Sequence, residues 1–155
     1  MEVLNRLTRR QLDALAAVLA REHDDRGASL KAIASSLNLS SPSALGHLTP
    51  LEKLGLVERY RGKSRLTYRG RETLVEYRRH HRVAETMFEQ LGLSPEETCD
   101  AAKEIDLAMS HRTVNEICRA QQHPTECPHG QPIEPCEVGG SSGPSRQAKV
   151  ARARS

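Results

Sequence analysis

The spacing of apolar residues over the first 55 positions constrains this chain more than any other feature. After Thr8, the residues Leu12, Leu15, Ala16 and Leu19 recur at the three-and-four interval of one helical face, so residues 8–22 read as a helix capped by Thr8. Residues 23–27 end it. Ser29 caps a short second helix with Leu30, Ile33, Ala34 and Leu37 on one side. Residues 38–41 have turn chemistry and Pro42 suits a first helical turn. Ala44, Leu45, Leu48, Leu51 and Leu54 then repeat at helical spacing until Gly55, a residue suited to a left-handed helix end. Helix, short helix, four-residue turn and helix is the layout of a helix-turn-helix. Pro50 removes a backbone donor inside the third helix and predicts a bend there.

The period then changes. Residues 56–60 and 65–68 are short β-like runs joined by Arg61, Gly62, Lys63 and Ser64, a hairpin with a basic tip. Beside a helix-turn-helix such a hairpin is a wing. A long helix follows over residues 72–91, with Leu74, Tyr77, His81, Val83, Ala84, Met87, Phe88 and Leu91 along its inner side. Ser94, Pro95, Glu96 and Glu97 start another helix, which runs to about residue 108. A last helix begins after Ser110, turns Val114, Ile117 and Cys118 inward, and stops before Pro124. The fold class is therefore mainly α: a winged helix-turn-helix domain over residues 1–72, a helical effector domain over 73–136 and a disordered basic tail over 137–155.

Composition narrows the classes open to such a chain. Its 155 residues include no Trp, one Phe and three Tyr, so the core is built from Leu, Ala, Val and Ile, and 28% charged residues leave it modest in size. No apolar run is long enough to cross a bilayer and the first ten residues lack the apolar stretch of a secretory signal, which predicts a cytoplasmic protein. Thiols stay reduced in that compartment, so Cys99, Cys118, Cys127 and Cys136 read as free, metal-bound or redox-sensing rather than as disulfides. The formal charge is +7 over residues 1–82, −7 over 83–134 and +3 over 135–155. A basic half followed by an acidic half fits a phosphate-binding module joined to a cation-binding one; an uneven spread of solvated charge is the plainer explanation.

Two constellations carry chemistry. The start of the third helix offers Ser40, Pro42, Ser43, Gly46 and His47, slim groups that let a helix enter the major groove, and the wing adds Arg61, Lys63 and Arg65 to hold neighbouring phosphates. Charged hairpins are usually just solvated, but the positive charge of this half favours DNA. In the acidic half His81 and Glu85 lie one helical turn apart, Cys99 opens the next helix, and Cys127, Pro128, His129 and Gly130 form a tight loop with a thiol and an imidazole. These donors suit a transition metal such as iron or zinc rather than magnesium. Taken singly, His81 reads as a hydrogen-bonded core histidine, Glu85 as a solvated acid and Cys118 as a small core residue. Four thiols also suffice for an iron–sulfur cluster, and Cys99, Cys118, Cys127 and Cys136 are candidates for it; a mononuclear site of His81, Glu85, Cys99, Cys127 and His129 is the alternative. Cys127 and His129 alone make a poor nucleophile and base, since no third group in view orients them, so no enzyme and no small-molecule substrate is expected.

The order Leu66-Thr67-x-x-Gly70, then Arg79-His80-His81-Arg82-Val83-Ala84-Glu85, Gly92-Leu93, Ala108-Met109-Ser110 and His123-Pro124-x-x-Cys127-Pro128-His129-Gly130-x-Pro132-Ile133 resembles the diphtheria-toxin-repressor and manganese-transport-regulator family of metal-responsive transcription factors. The resemblance spans about residues 8–135. It implies a homodimer that binds palindromic operator DNA when its metal sites fill, with the second domain serving dimerisation and without a further SH3-like domain. It also implies that the family's ancillary ligands fall on His81, Glu85 and Cys99, with Cys127 and His129 taking part. The family's main regulatory site falls on Arg10, Lys103, Asp106 and Leu107, a set unfit to hold a cation. The expected function is a transcriptional regulator, most simply a repressor in iron or metal homeostasis. The rival is a constitutive DNA-binding protein with structural zinc.

Overall fold

Each helix start carries a side chain that satisfies an otherwise orphaned backbone N–H, worth about 1 kcal/mol apiece. The computed structural model describes residues 3–22 and 26–136. After a 3-10 turn at Leu4–Arg6, α1 (Arg9–Arg21) opens on a capping box in which Thr8 and Gln11 bond each other's backbone. Ser29 accepts from Ala32 N at the start of α2 (Leu30–Leu37), and Ser40 accepts from Ser43 N at the start of α3 (Ser41–Lys53). Asn38 takes the left-handed conformation between them, as its side chain tolerates. Helix α3 runs through Pro50 to Lys53, with the Thr49 hydroxyl donating to Leu45 O just before the proline.

The wing is tighter than its sequence suggests. Strands β2 (Val57–Tyr60) and β3 (Lys63–Leu66) pair antiparallel with Tyr60 opposite Lys63, so Lys63 and Ser64 belong to a strand and only Arg61 and Gly62 turn the chain. Both have positive φ, 48° and 73°, the geometry of a two-residue hairpin. A two-residue strand β1 (Ala28–Ser29) joins the far side of β3, giving the order β1-β3-β2. It is unreadable in sequence because Ser29 shows only its capping role. Glu22, at the end of α1, accepts from Leu66 N at 3.0 Å and pairs with Arg71, tying α1 to the wing and the next helix.

That helix, α4, spans Tyr68–Gln90, starting four residues before the expected position. Thr67 explains the early start: its hydroxyl accepts from Gly70 N at 3.0 Å and donates to Gly55 O at 2.7 Å. Leu91, expected on the inner face, is 71% exposed because α4 has already ended in a turn. Helix α5 (Pro95–Ile105) opens on the capping box Ser94–Glu97 and stops three residues short of expectation, with Asp106 at its end; α6 (His111–Ala120) is capped by Ser110.

The chain divides into two compact units, Val3–Glu76 and Tyr77 onward. The first is cored by residues such as Leu12, Leu15, Ile33, Leu48, Leu51, Leu56 and Leu66, and has the winged-helix architecture. The second is cored by Val83, Ala84, Ala102, Met109, Val114, Cys118, Cys127 and Ile133. The basic tail expected over 137–155 lies outside the described residues.

Gly70 offers a direct test of the α4 start. A Cβ there would lie 2.1 Å from Leu56 O, a backbone atom that cannot move aside. Gly70→Ala should destabilise the first unit by about 3 kcal/mol, the upper end for overpacking. At Gly46, where nothing lies within 4 Å of an added Cβ, the same change should stabilise α3 by up to about 1 kcal/mol. Urea unfolding of the two variants checks both signs.

Candidate metal centre

Helical geometry places His81 and Glu85 on one side of α4, a turn apart. His81 Nδ1 lies 2.9 Å from Asp106 Oδ2, a carboxylate with no solvent exposure at the end of α5. With Nδ1 carrying that hydrogen bond, Nε2 points to Glu85 Oε1 at 3.2 Å and to Cys99 Sγ at 3.6 Å. A ring nitrogen held by a carboxylate fixes tautomer and orientation in the manner common to metal-binding histidines. Cys99 arrives from α5, whose start is locked by the Ser94–Glu97 box.

Glu85 is approached from a second direction. His129 Nδ1 lies 3.3 Å from the same Oε1, and the Cys127 thiol falls within 4.8 Å of the Glu85 and His129 donors. The loop that carries them is pinned by its own backbone: Cys127 N donates to Gln131 O and Gly130 N to Cys127 O, both at 2.9 Å, and Ile133 N to Thr125 O at 2.8 Å. Arg79 Nε on α4 donates to Glu134 O at 3.1 Å, and Arg82 reaches Pro132 O. Two triads, His81–Glu85–Cys99 and Glu85–Cys127–His129, thus meet at one carboxylate. The five residues expected for a mononuclear site fall in these two groups, with Cys99 in one and Cys127 and His129 in the other.

The charges respond to this crowding. Burial opposes a charged His81, yet hydrogen bonds with Asp106, Glu85 and Cys99 outweigh it and push its pKa up to about 10. Burial also works against an ionised Glu85, but hydrogen bonds from His81 and Cys127 and the nearby imidazoles hold it below the usual carboxylate range. The Cys127 thiol is pushed up, mainly by burial, with Glu85 adding to it. In the absence of a cation the proton held on His81 offsets the charge of Glu85.

The four-thiol cluster is corrected by the same geometry. Among the described residues Cys99 groups with His81, Cys127 with His129, and Cys118 and Cys136 with His123. Cys118 and Cys127 both lie in the core of the second unit, yet their sulfurs fall in different donor groups. An iron–sulfur cluster spanning all four therefore has no common centre. Of the positions expected to lack a main regulatory site, Lys103 Nζ pairs with Asp100 at 2.9 Å and Leu107 is half-buried. Asp106 was read only as part of that missing site. Its grip on His81 links residues 25 apart and has no local sequence signal.

In the first unit Ser41, Pro42, Ser43 and Gly46 are exposed at the start of α3, His47 is half-buried, and Ser40 is engaged as the cap. On the wing Arg61 lies 5.0 Å over the Tyr60 ring, Lys63 is exposed and Arg65 pairs with Glu58.

The raised His81 pKa sets a sign for stability. The metal-stripped second unit should be most stable below the ordinary value of 6.5 and lose that contribution as pH rises toward about 10. Thermal melts over that range check it; Asp106→Asn should flatten the slope, and an unchanged slope would remove Asp106 from this role.

Comparison with known proteins follows the same division of the chain. A family model described as iron dependent repressor, metal binding and dimerisation domain matches residues 67–135, and the LexA DNA binding domain matches residues 4–66. No curated protein sequence matches the chain. Among solved structures, a manganese-dependent transcriptional repressor in complex with manganese is 29% identical, with a TM-score of 0.63 over 87% of this chain and 62% of its own. The IdeR of T. acidophilum is 26% identical, with a TM-score of 0.59 over 90% of this chain and 64% of its own. The hypothetical protein SSo2273 from Sulfolobus solfataricus, 24% identical, shares the fold with a TM-score of 0.78 over 83% of this chain and 99% of its own. The chain thus spans less than two thirds of the two repressors' length. Along the chain, residues 4–66 thus match a DNA-binding model and residues 67–135 match the metal-binding and dimerisation model of iron-dependent repressors.

Proposed function

We propose that the protein acts in the cytoplasm as a homodimeric repressor of metal homeostasis genes, binding palindromic operator DNA under control of a divalent transition ion. The observation that carries this reading is the Glu85 carboxylate, 3% exposed and shared by two imidazoles, with two thiols in reach. The donor set fits an ion of the iron or zinc class: nitrogen, carboxylate oxygen and thiol converge, and Asp106 orients His81 from outside. His81, Glu85, Cys99, Cys127 and His129 would hold the ion, which supplies positive charge and directed bonds that the apo site obtains from a proton.

The residues themselves do the coupling. His81 and Glu85 stand on α4, Cys99 on α5 and Cys127 and His129 on the 127–130 loop, so filling the site fastens three pieces of the second unit together. Helix α4 begins in the first unit, which contains the wing and α3. Restricting α4 selects among arrangements of the dimer, and those that space two recognition helices about one DNA turn apart bind the operator. Ser43, Gly46 and His47 then face base edges beside Ser40 and Pro42, while Arg61, Lys63 and Arg65 follow the phosphates.

Operator affinity measured by fluorescence anisotropy, with chelator and then with Fe(II), Mn(II) or Zn(II), tests the reading. Affinity should change about 5- to 150-fold on loading, with a reciprocal change in metal affinity, and Glu85→Ala should abolish the response. Equal affinity with and without metal would reject regulation and leave a constitutive DNA-binding protein with structural zinc. Lys63→Ala should weaken binding to all DNA sequences alike and reduce the salt slope by about 1.

A further inference from the structure

The second unit holds a group of donors that the Glu85 site does not use. His123 Nδ1 lies 3.7 Å from Cys118 Sγ and 3.1 Å from Cys136 Sγ, and all three donor atoms lie within 4.8 Å of one another. They come from three pieces of chain: the last turn of α6, the turn after it, and the end of the segment that carries Cys127 and His129. Cys118 is 2% exposed. To bring the imidazole back over α6, Gln122 and His123 both adopt positive φ, 61° and 55°, and His123 N donates to Cys118 O at 2.9 Å. Neither residue is glycine, and such conformations persist only where the surroundings hold them.

Arg79 provides an independent observation. It is 3% exposed, its Nε is taken by Glu134 O, and its two buried terminal nitrogens meet no nitrogen or oxygen acceptor. A guanidinium remains charged and is costly to bury without an opposite charge. Burial and the neighbouring Cys136 push the Cys118 thiol up, and the Arg79 charge acts against them. That thiol becomes anionic only as a thiolate, the form that ligates metal.

We propose that Cys118, His123 and Cys136 form a second, thiol-rich site for a zinc-class divalent ion, with Arg79 supporting the Cys118 thiolate. Two thiolates and an imidazole select a borderline-soft ion and leave a fourth position for water. Loading releases the two thiol protons to solvent and changes no oxidation state. The site shares no residue with the Glu85 site. Its role is that of a clasp: Cys127 and His129 lie in sequence between His123 and Cys136, so closing the clasp holds the regulatory loop against α6.

The test uses the full chain, reduced, stripped of metal and titrated with Co(II). In a Cys99→Ser/Cys127→Ser background one equivalent should still bind with a thiolate-to-cobalt charge-transfer band, and adding Cys118→Ser or Cys136→Ser should remove it. In the unmodified chain Zn(II) should slow alkylation of Cys118 and Cys136 at least about tenfold once free zinc stands well above its dissociation constant, and Glu85→Ala should keep that protection. This second measurement needs no cysteine variant to fold. Absence of the cobalt band from the folded double variant, or alkylation unaffected by zinc, would overturn the proposal. So would a Cys118–Cys136 disulfide in protein isolated without oxygen. A chain whose operator affinity ignores metal but which keeps the cobalt band loses the regulatory reading and retains this one.

Discussion

The second unit is organised around a carboxylate that has been taken out of water. Removing Glu85 from solvent costs several kcal/mol unless its oxygens are met by donors, and the chain meets them with His81 from its own helix and with Cys127 and His129 from a loop more than 40 residues away. Asp106 repeats the device on the other nitrogen of His81, so one imidazole is held between two buried carboxylates. This row, together with the apolar core around Val83, Ala102 and Val114, holds α4, α5 and the 127–130 loop in one register. Neutralising Glu85 would leave His129 without its partner and His81 with half of its support.

Helix α4 carries that constraint along its length. Its first turn is rooted where Gly70 lies against Leu56 O, an approach only a residue without Cβ permits, and its middle is roped to the 132–134 segment by Arg79 and Arg82. Between those anchors stand Thr73 and Leu74, both buried, and after them His81 and Glu85. The Cys118–His123–Cys136 group belongs to the same plan, because the segment that Arg79 and Arg82 hold also carries Cys136 and the regulatory loop.

Much of this was legible in the residues, and the failures have one cause. The caps Thr8, Ser29 and Ser94 fall where local chemistry placed them, because a cap is decided by residues three apart. The turn between α2 and α3 and the basic hairpin are equally local. What escaped notice depends on partners distant in sequence: β1 exists only because β3 offers it a ladder, α4 starts early because Thr67 finds Gly55 O, and Asp106 acquires meaning only beside His81. The grouping of thiols failed for the same reason. Spacing alone gives four cysteines no reason to divide, whereas the inward face of α6 commits Cys118 to His123 and Cys136.

The apo site and the loaded site are two answers to the same excess of negative charge. Without a cation, the proton held on His81 stands between the Glu85 and Asp106 carboxylates and offsets one negative charge, while burial and Glu85 push the Cys127 thiol up. On the proposed ligand set a dication enters only as protons leave, since only neutral imidazole and thiolate ligate, so its hold tightens as protons become scarce. That exchange falls in the acidic part of the chain, away in sequence from the wing residues Arg61, Lys63 and Arg65. The charge asymmetry first visible in the sequence, +7 then −7, is on this view a division of labour: one half keeps positive charge for phosphates, and the other keeps negative charge for a cation to answer.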